Sequence, residues 1–304
     1  MTIKQFIKVK WDDNADAYLE FFDYKKNTFE FIPAKEKMII KKMTKKYCKG
    51  HFNLEKMQEF PCEKKTDLTE SNYIVCKECN ELTGFNLCLF CKGDKCSSQS
   101  KNAIEFCKKK HVVYLAYFPG DRLKVGTAVY ERRFERLLEQ GALYSIFIAI
   151  ADGRTVRAIE TSVANLGISD KVSNKYKIKH IIIDKSSEEI KDILISKLDD
   201  IKPNISPRFK NFLIDPEFNN FGIIFDKAAP LLKSKTTQLT LQFFEETENN
   251  KIIDLDYTIQ NETNIIEGII LASIGSIILI KRDGTVYAVD LKKLTGWLVD
   301  VDIN

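Results

Sequence analysis

The sequence predicts an α+β fold built around one central α/β unit, with a cysteine-rich segment before it and a run of short strands after it. Three observations predict this. All eight cysteines fall between Cys48 and Cys107. Residues 111–166 read as hairpin, helix, strand and helix in that order. From residue 210 onward, short alternating runs separated by turn residues take over. The chain divides on these grounds into an N-terminal β segment (1–45), a cysteine-rich module (46–110), a central α/β domain (111–200) and a small β-barrel-like C-terminal domain (205–304).

In the N-terminal segment, "FIKVKW", "AYLEFFDY" and "TFEFIP" read as strands that can pair with the C-terminal ones. The cysteines follow as Cys48, Cys62, the C-x2-C pair Cys76/Cys79, the C-x2-C pair Cys88/Cys91, Cys96 and Cys107. A C-x2-C turn sets two thiolates on one side of a knuckle, at the separation a tetrahedral Zn²⁺ requires. Eight thiolates match two Cys₄ sites. A sequential pairing groups Cys48, Cys62, Cys76 and Cys79 in one site and Cys88, Cys91, Cys96 and Cys107 in the other; a ribbon in which both knuckles share one ion is the alternative. His51 or His111 could replace a cysteine, and Cys₄ also serves an iron–sulfur cluster. All-sulfur ligation leaves no open position, so the zinc is expected to be structural.

In the central domain, Val112–Phe118 and Leu123–Thr127 flank Pro119-Gly120 and predict a hairpin. Over 128–140, Tyr130, Phe134, Leu137 and Leu138 share one helical face, and Gly141 ends the helix. "ALYSIFIAIA" (142–151) predicts a buried strand and Asp152-Gly153 a turn. A second helix over 154–166 carries Val156, Ile159, Val163 and Leu166 inward, with Glu160 beside Ile159. Further on, Ser186-Ser187-Glu188-Glu189 is a capping box opening a helix over 185–199, and "KPNISPRF" (202–209) reads as a linker.

This order of elements resembles the GIY-YIG nuclease domain. "VVY" (112–114) is similar to the first motif element and "KVGT" (124–127) to the second, with Lys124 in the place of a tyrosine. Arg136-Leu137 and Gln140 resemble the family's Arg-Leu…His, with glutamine for histidine. Glu160 resembles the single metal-binding glutamate, and Asn174 lies where a late asparagine is often found. The resemblance implies a catalytic set of Tyr114, Lys124, Arg136, Gln140 and Glu160. Glu160 would hold Mg²⁺ or Mn²⁺, Tyr114 would position water, and Arg136 would offset transition-state charge. Glutamine cannot shuttle a proton, and lysine is a poor base unless buried. A wider pattern covers about 48–175: paired C-x2-C knuckles, H-x-x-Y-L-A at 111–116, K-V-G at 124–126 and E-Q-G-A at 139–142. It is similar to an uncharacterised family of unknown function, for which it implies no activity.

In the C-terminal part, "TQLTLQFF" alternates, "SIILIKRDGTVYAVDL" reads as a hairpin and "TGWLVDV" as a last strand, together suggesting an SH3- or OB-type barrel. Trp297, Tyr287 and Lys281 would suit a single-strand-binding groove. Composition sets the outer limits. With 44% hydrophobic and 30% charged residues the chain is globular rather than disordered. Gly268–Ile280 is too short to span a bilayer and reads as a buried strand or pair of strands, and Met1–Gln5 has no signal-peptide pattern, so a cytoplasmic protein is expected. Net charge is only +4, but residues 35–66 hold ten lysines against four glutamates and Lys108-Lys109-Lys110 follows the last cysteine. Such patches suit phosphate. The expected function is therefore a zinc-stabilised nucleic-acid-binding protein, RNA or DNA, with metal-dependent phosphodiester cleavage. The alternative is a non-catalytic scaffold in which Glu160 and Arg136 merely pair; a nucleotide-modifying enzyme using the same cleft is a third reading.

Overall fold

The computed structural model describes residues 2–181, 185–222, 253–254, 264–283 and 285–303. The α+β expectation holds: helices and strands both recur along the chain, in two main sheets.

The central sheet is built from β7 (Lys110–Phe118), β8 (Arg122–Val129), β9 (Tyr144–Asp152) and β10 (Leu213–Asn220), ordered β10-β9-β7-β8 and antiparallel throughout. β7 lies inside this sheet with both faces covered, which is why its sequence is an almost unbroken apolar run. Val113, Leu115 and Tyr117 face a core completed by α4 (Gly153–Ala164) and α6 (Ser187–Asn204). Val112, Tyr114, Ala116 and Phe118 face the opposite way, onto Leu137 of α3 (Arg133–Gln140). Helix α3 begins later than its pattern suggests. β8 extends through Val129 and a 3₁₀ turn takes Tyr130–Arg132. Asp152 is not a simple turn residue, because its carboxylate accepts from the Arg154 and Thr155 amides and caps α4. Ser186 and Glu189 form the expected capping box of α6.

The second sheet joins both ends of the chain. Its N-terminal strands are β1 (Thr2–Trp11), β2 (Ala17–Asp23), β3 (Thr28–Pro33) and β4 (Glu36–Lys46). The others are β11 (Ile253–Asp254), β12 (Ile265–Ile274), β13 (Ile277–Arg282), β14 (Thr285–Asp290) and β15 (Trp297–Ile303). The order is β11-β14-β13-β12-β4-β15-β1-β2-β3. This corrects the barrel expectation: among the described residues the nine strands form an open sheet with β3 and β11 at its edges. One face carries a core of Phe6, Leu19, Phe21, Met38, Ile40, Ile280 and Val299. Ile277, Leu279 and Ala288 on the other side join the core of the central sheet, so β13 and β14 separate two hydrophobic layers.

One further reading changes, and the reading of Gly268–Ile280 as a pair of strands holds. "KPNISPRF" is no linker, since Lys202–Asn204 finish α6 and Pro207–Phe212 make a 3₁₀ turn. Gly268–Ile280 resolves into β12, a turn at Gly275, and β13. The alternating run "TQLTLQFF" lies outside the described residues. Gly275 and Gly141 meet backbone to backbone: both have positive φ, and a Cβ on Gly141 would lie 3.2 Å from the Gly275 nitrogen. Helix α3 thus ends directly against the β12–β13 turn, and this contact places Gln140 at the seam between the two sheets. The cysteine-rich module sits alongside, with the small hairpin β5 (His51–Asn53) and β6 (Gln58–Phe60) and helices α1 (Lys77–Thr83) and α2 (Lys101–Lys108).

Candidate functional site

Four cysteines converge in the module. Cys48, Cys62, Cys76 and Cys79 are buried, and their sulfurs all lie within 4.8 Å of one another. Cys62 and Cys76 are 3.9 Å apart, close to the roughly 3.8 Å edge of a tetrahedron with Zn–S bonds of about 2.3 Å. Local structure explains the convergence. Cys76 caps α1 and Cys79 lies in its first turn, so the C-x2-C spacing sets both sulfurs at one helix end. Gly50, at φ +93°, turns its amide back to within 3.4 Å of Cys48 Sγ, and the Cys76 amide donates to the same sulfur at 3.1 Å. These four residues could hold a metal ion such as zinc.

Cys88, Cys91, Cys96 and Cys107 are arranged more loosely. Among the described residues, only the first four form a group of that closeness. The Cys91-Lys92-Gly93 turn nevertheless repeats Cys48-Lys49-Gly50: Gly93 has φ +83°, and its amide lies 3.4 Å from Cys91 Sγ. All four line a cavity of about 630 Å³. His111 lines it too, buried, with Nδ1 donating to the Lys109 carbonyl at 2.8 Å; burial lowers its pKa. His51 stacks on Phe60 and His180 on Tyr176.

The five residues singled out in the central domain are neighbours. Tyr114 on β7 pairs across the hairpin with Gly126 on β8. A Cβ at Gly126 would lie 2.3 Å from the Tyr114 hydroxyl, so the glycine of "KVGT" makes room for the phenol. Gln140, the last residue of α3, meets that hydroxyl with its whole amide: Nε2 donates at 2.8 Å and Oε1 accepts at 3.1 Å. Lys124 Nζ donates to Gln140 Oε1 at 2.7 Å. Complete burial pushes the Tyr114 hydroxyl up to about 12, with nearby Glu160 adding to the rise and Arg136 opposing it. Burial and the charge of Arg136 bring Lys124 down to about 8, against Glu160 and Asp170. Burial also lifts Glu160 above the usual carboxylate range; Arg157, Lys124 and a hydrogen bond with Thr127 pull the other way. Arg136 is half exposed, and its ion pair is with Glu139 at 3.8 Å rather than with Glu160.

Sequence reasoning missed Lys177 on α5 (Asn174–Lys179). This residue is 5% exposed, and its ammonium donates to the Gln140 carbonyl at 2.6 Å and to Asn174 Oδ1 at 2.9 Å. Asn174 in turn donates to Ser276, which donates to Asp290 at 2.8 Å. In "NKYKIKH" nothing marks one lysine as buried; only the docking of α5 against α3 and the β12–β13 turn does. Burial lowers Lys177 to about 8, as do Lys124 and Lys292, against Asp290. A lysine with a depressed folded pKa costs stability while both states are protonated, and the cost disappears as pH rises between the folded and unfolded values. The stability of the wild type relative to Lys177→Gln is therefore expected to rise between about pH 8 and 10, by at most about 1.4 kcal/mol per pH unit. Denaturant unfolding of both proteins across that range checks it; a flat difference would show that Lys177 keeps its ordinary pKa.

An α+β chain with a buried four-cysteine cluster and a polar cluster at the seam of two sheets is thus the class defined by fold and site. A family model matches residues 36–299, and the chain belongs to that family, described as Protein of unknown function (DUF2797). No curated protein and no solved structure matches it. No helix among the described residues is long and apolar enough to cross a membrane.

Proposed function

We propose that the chain is a zinc-stabilised nucleic-acid-binding protein of the reducing cytosol, whose central domain has the GIY-YIG layout and cleaves phosphodiesters with Mg²⁺ or Mn²⁺. One observation carries this reading: Lys124, Arg136 and Gln140 line a cavity with seven lysines and arginines against two glutamates, Tyr114 is hydrogen-bonded to Gln140, and Glu160 acts electrostatically on Tyr114 and Lys124. Such an excess of cations suits a phosphate backbone. The sheet order β9-β7-β8, with α3 and α4 on opposite faces, supports the resemblance. Two zinc ions would fill the two cysteine sets, the first four in the geometry described above.

A single half-buried carboxylate with an adjoining hydroxyl, Glu160 with Thr127, fits an ion that keeps most of its water. The ion would supply positive charge to a non-bridging phosphate oxygen. The chain's own groups do the rest. Half-exposed Arg136 can reach an anionic oxygen, and Gln140 fixes the Tyr114 hydroxyl and the Lys124 ammonium relative to each other. Lys124 stands where the resemblance has a tyrosine, and burial meets the condition under which lysine can exchange a proton near neutrality.

The test pairs binding with cleavage. Purified protein is expected to bind mixed RNA or DNA with an affinity that falls steeply with salt. Glu160→Gln should retain binding and lose metal-dependent cleavage by on the order of a hundredfold or more. Binding without cleavage in the wild type would remove the catalytic part; no binding to any nucleic acid at low salt would remove the whole.

A further inference from the structure

The cavity beside the five residues has a volume of about 500 Å³, within the range of sites for single small molecules. Its wall is assembled from every part of the chain. Ile7 and Lys8 come from β1, Phe52 and Ile74 from the cysteine-rich module, Lys124 and Gln140 from the central domain, Lys177 from α5, and Lys292 from the segment before β15.

The charges in this wall do not balance. Its two glutamates are committed: Glu59 pairs with Lys8 and Lys49, and Glu139 with Lys8, Arg132 and Arg136. Lys124, Lys177 and Lys292 make no ion pair among the described residues. Two of these three ammonium groups, that of buried Lys177 and that of half-buried Lys124, flank one residue, Lys124 on the side-chain oxygen of Gln140 and Lys177 on its carbonyl. Burial weakens the hold of both on their protons, and the charge of Lys124 weakens that of Lys177 further. Holding like charges together away from water is unfavourable unless an anion joins them. The same lining also includes the apolar residues Ile7, Val9, Phe52 and Val172. A ligand that suits this lining carries both a compact anion and an apolar body.

We infer that this cavity seats a single nucleotide by its phosphate: a nucleoside monophosphate, either free or as the phosphorylated end of a strand. The phosphate lies among Lys124, Lys177 and Lys292, and the base lies against the apolar part of the lining. This deepens the nucleic-acid reading and rests on it only for the strand-end form.

The experiment uses the full chain and four probes: AMP, and one short single strand carrying a 5′-phosphate, a 3′-phosphate or only hydroxyl ends. One phosphorylated end is expected to bind at least about tenfold tighter than the hydroxyl-ended strand, the loss typical of a charge-assisted contact. AMP should compete for that preference. Lys177→Gln should erase it, and Lys292→Gln, at an exposed position, should weaken it with the fold untouched. If AMP alone binds and Lys177→Gln and Lys292→Gln weaken it, the site takes the free nucleotide, and the inference stands even where strands are ignored. If strands bind with no end preference and AMP does not compete, the inference is overturned while the nucleic-acid reading survives. A preference that persists in both variants overturns it equally.

Discussion

Cys76→Ser is expected to empty the four-cysteine cluster of metal and to open the module around it. The sulfurs of Cys48, Cys62 and Cys79 would remain within a few ångströms of each other in a buried space, with Leu68 and Val75, among the described residues, packed around the cluster as apolar support. So small an apolar shell cannot hold the segment together by itself. Structural zinc in small domains contributes on the order of 10 kcal/mol or more of coupled folding free energy, which makes this the largest single effect available in the chain. Metal content by mass spectrometry should fall by one equivalent, and limited proteolysis should cut between residues 46 and 84 while the central sheet resists. The same loss should follow acidification, because protons compete with metal for thiolates. A variant that keeps its metal and its protease resistance would show that the cluster is stabilised by something other than an ion.

Gly126→Ala is expected to disrupt the candidate site with the addition of a single carbon. The new methyl would lie 2.3 Å from the Tyr114 hydroxyl and 2.5 Å from the ring carbon bearing it. β7 cannot retreat, because it is held by β8 on one side and β9 on the other. The phenol must swing away, which breaks both hydrogen bonds to Gln140 and unseats Lys124. Overpacking of this kind costs about 1–3 kcal/mol, and unpaired buried polar groups add to it. Denaturant melts give the stability loss, and the same salt-graded binding assay gives the functional one. The double variant Gly126→Ala with Tyr114→Phe should recover part of the stability and none of the Tyr114–Gln140 contact. A Gly126→Ala variant as stable as the wild type would mean that the phenol is not confined.

The sequence made the central domain legible because its signals are local. Leu137 and Leu138 mark the inward side of α3, Gly141 adopts the left-handed conformation of a helix end, and Ser186 with Glu189 closes a capping box. C-x2-C spacing likewise brought the Cys76 and Cys79 thiolates together, and the structure sets them at one helix start. The remainder depended on contacts distant along the chain. Alternation identified β13, β14 and β15 but carries no information about whether a sheet closes, and here Ile40 pairs with Ile266 instead of with a neighbour in sequence. Pro203 looked like a break, yet α6 continues through its last turn to Asn204. In the site, Tyr114, Lys124, Gln140 and Glu160 were found through motif positions. Lys177 escaped because its burial is decided by the turn at Gly275 and by Ser276, about a hundred residues on.

The interleaving of the two chain ends in one sheet sets a schedule for biosynthesis. β4 takes its place only between β12 and β15, so Ile40 must wait for Ile266, and Lys46 for Trp297, to leave the ribosome. At common elongation rates that interval is roughly ten to forty-five seconds. During it the nascent chain exposes Met38 and Ile40 on an open strand edge, the kind of surface that recruits unwanted partners. The lysines spaced along this strand, at 37, 41, 42, 45 and 46, supply mutual repulsion between copies on the same polysome and so guard the strand until its neighbours arrive.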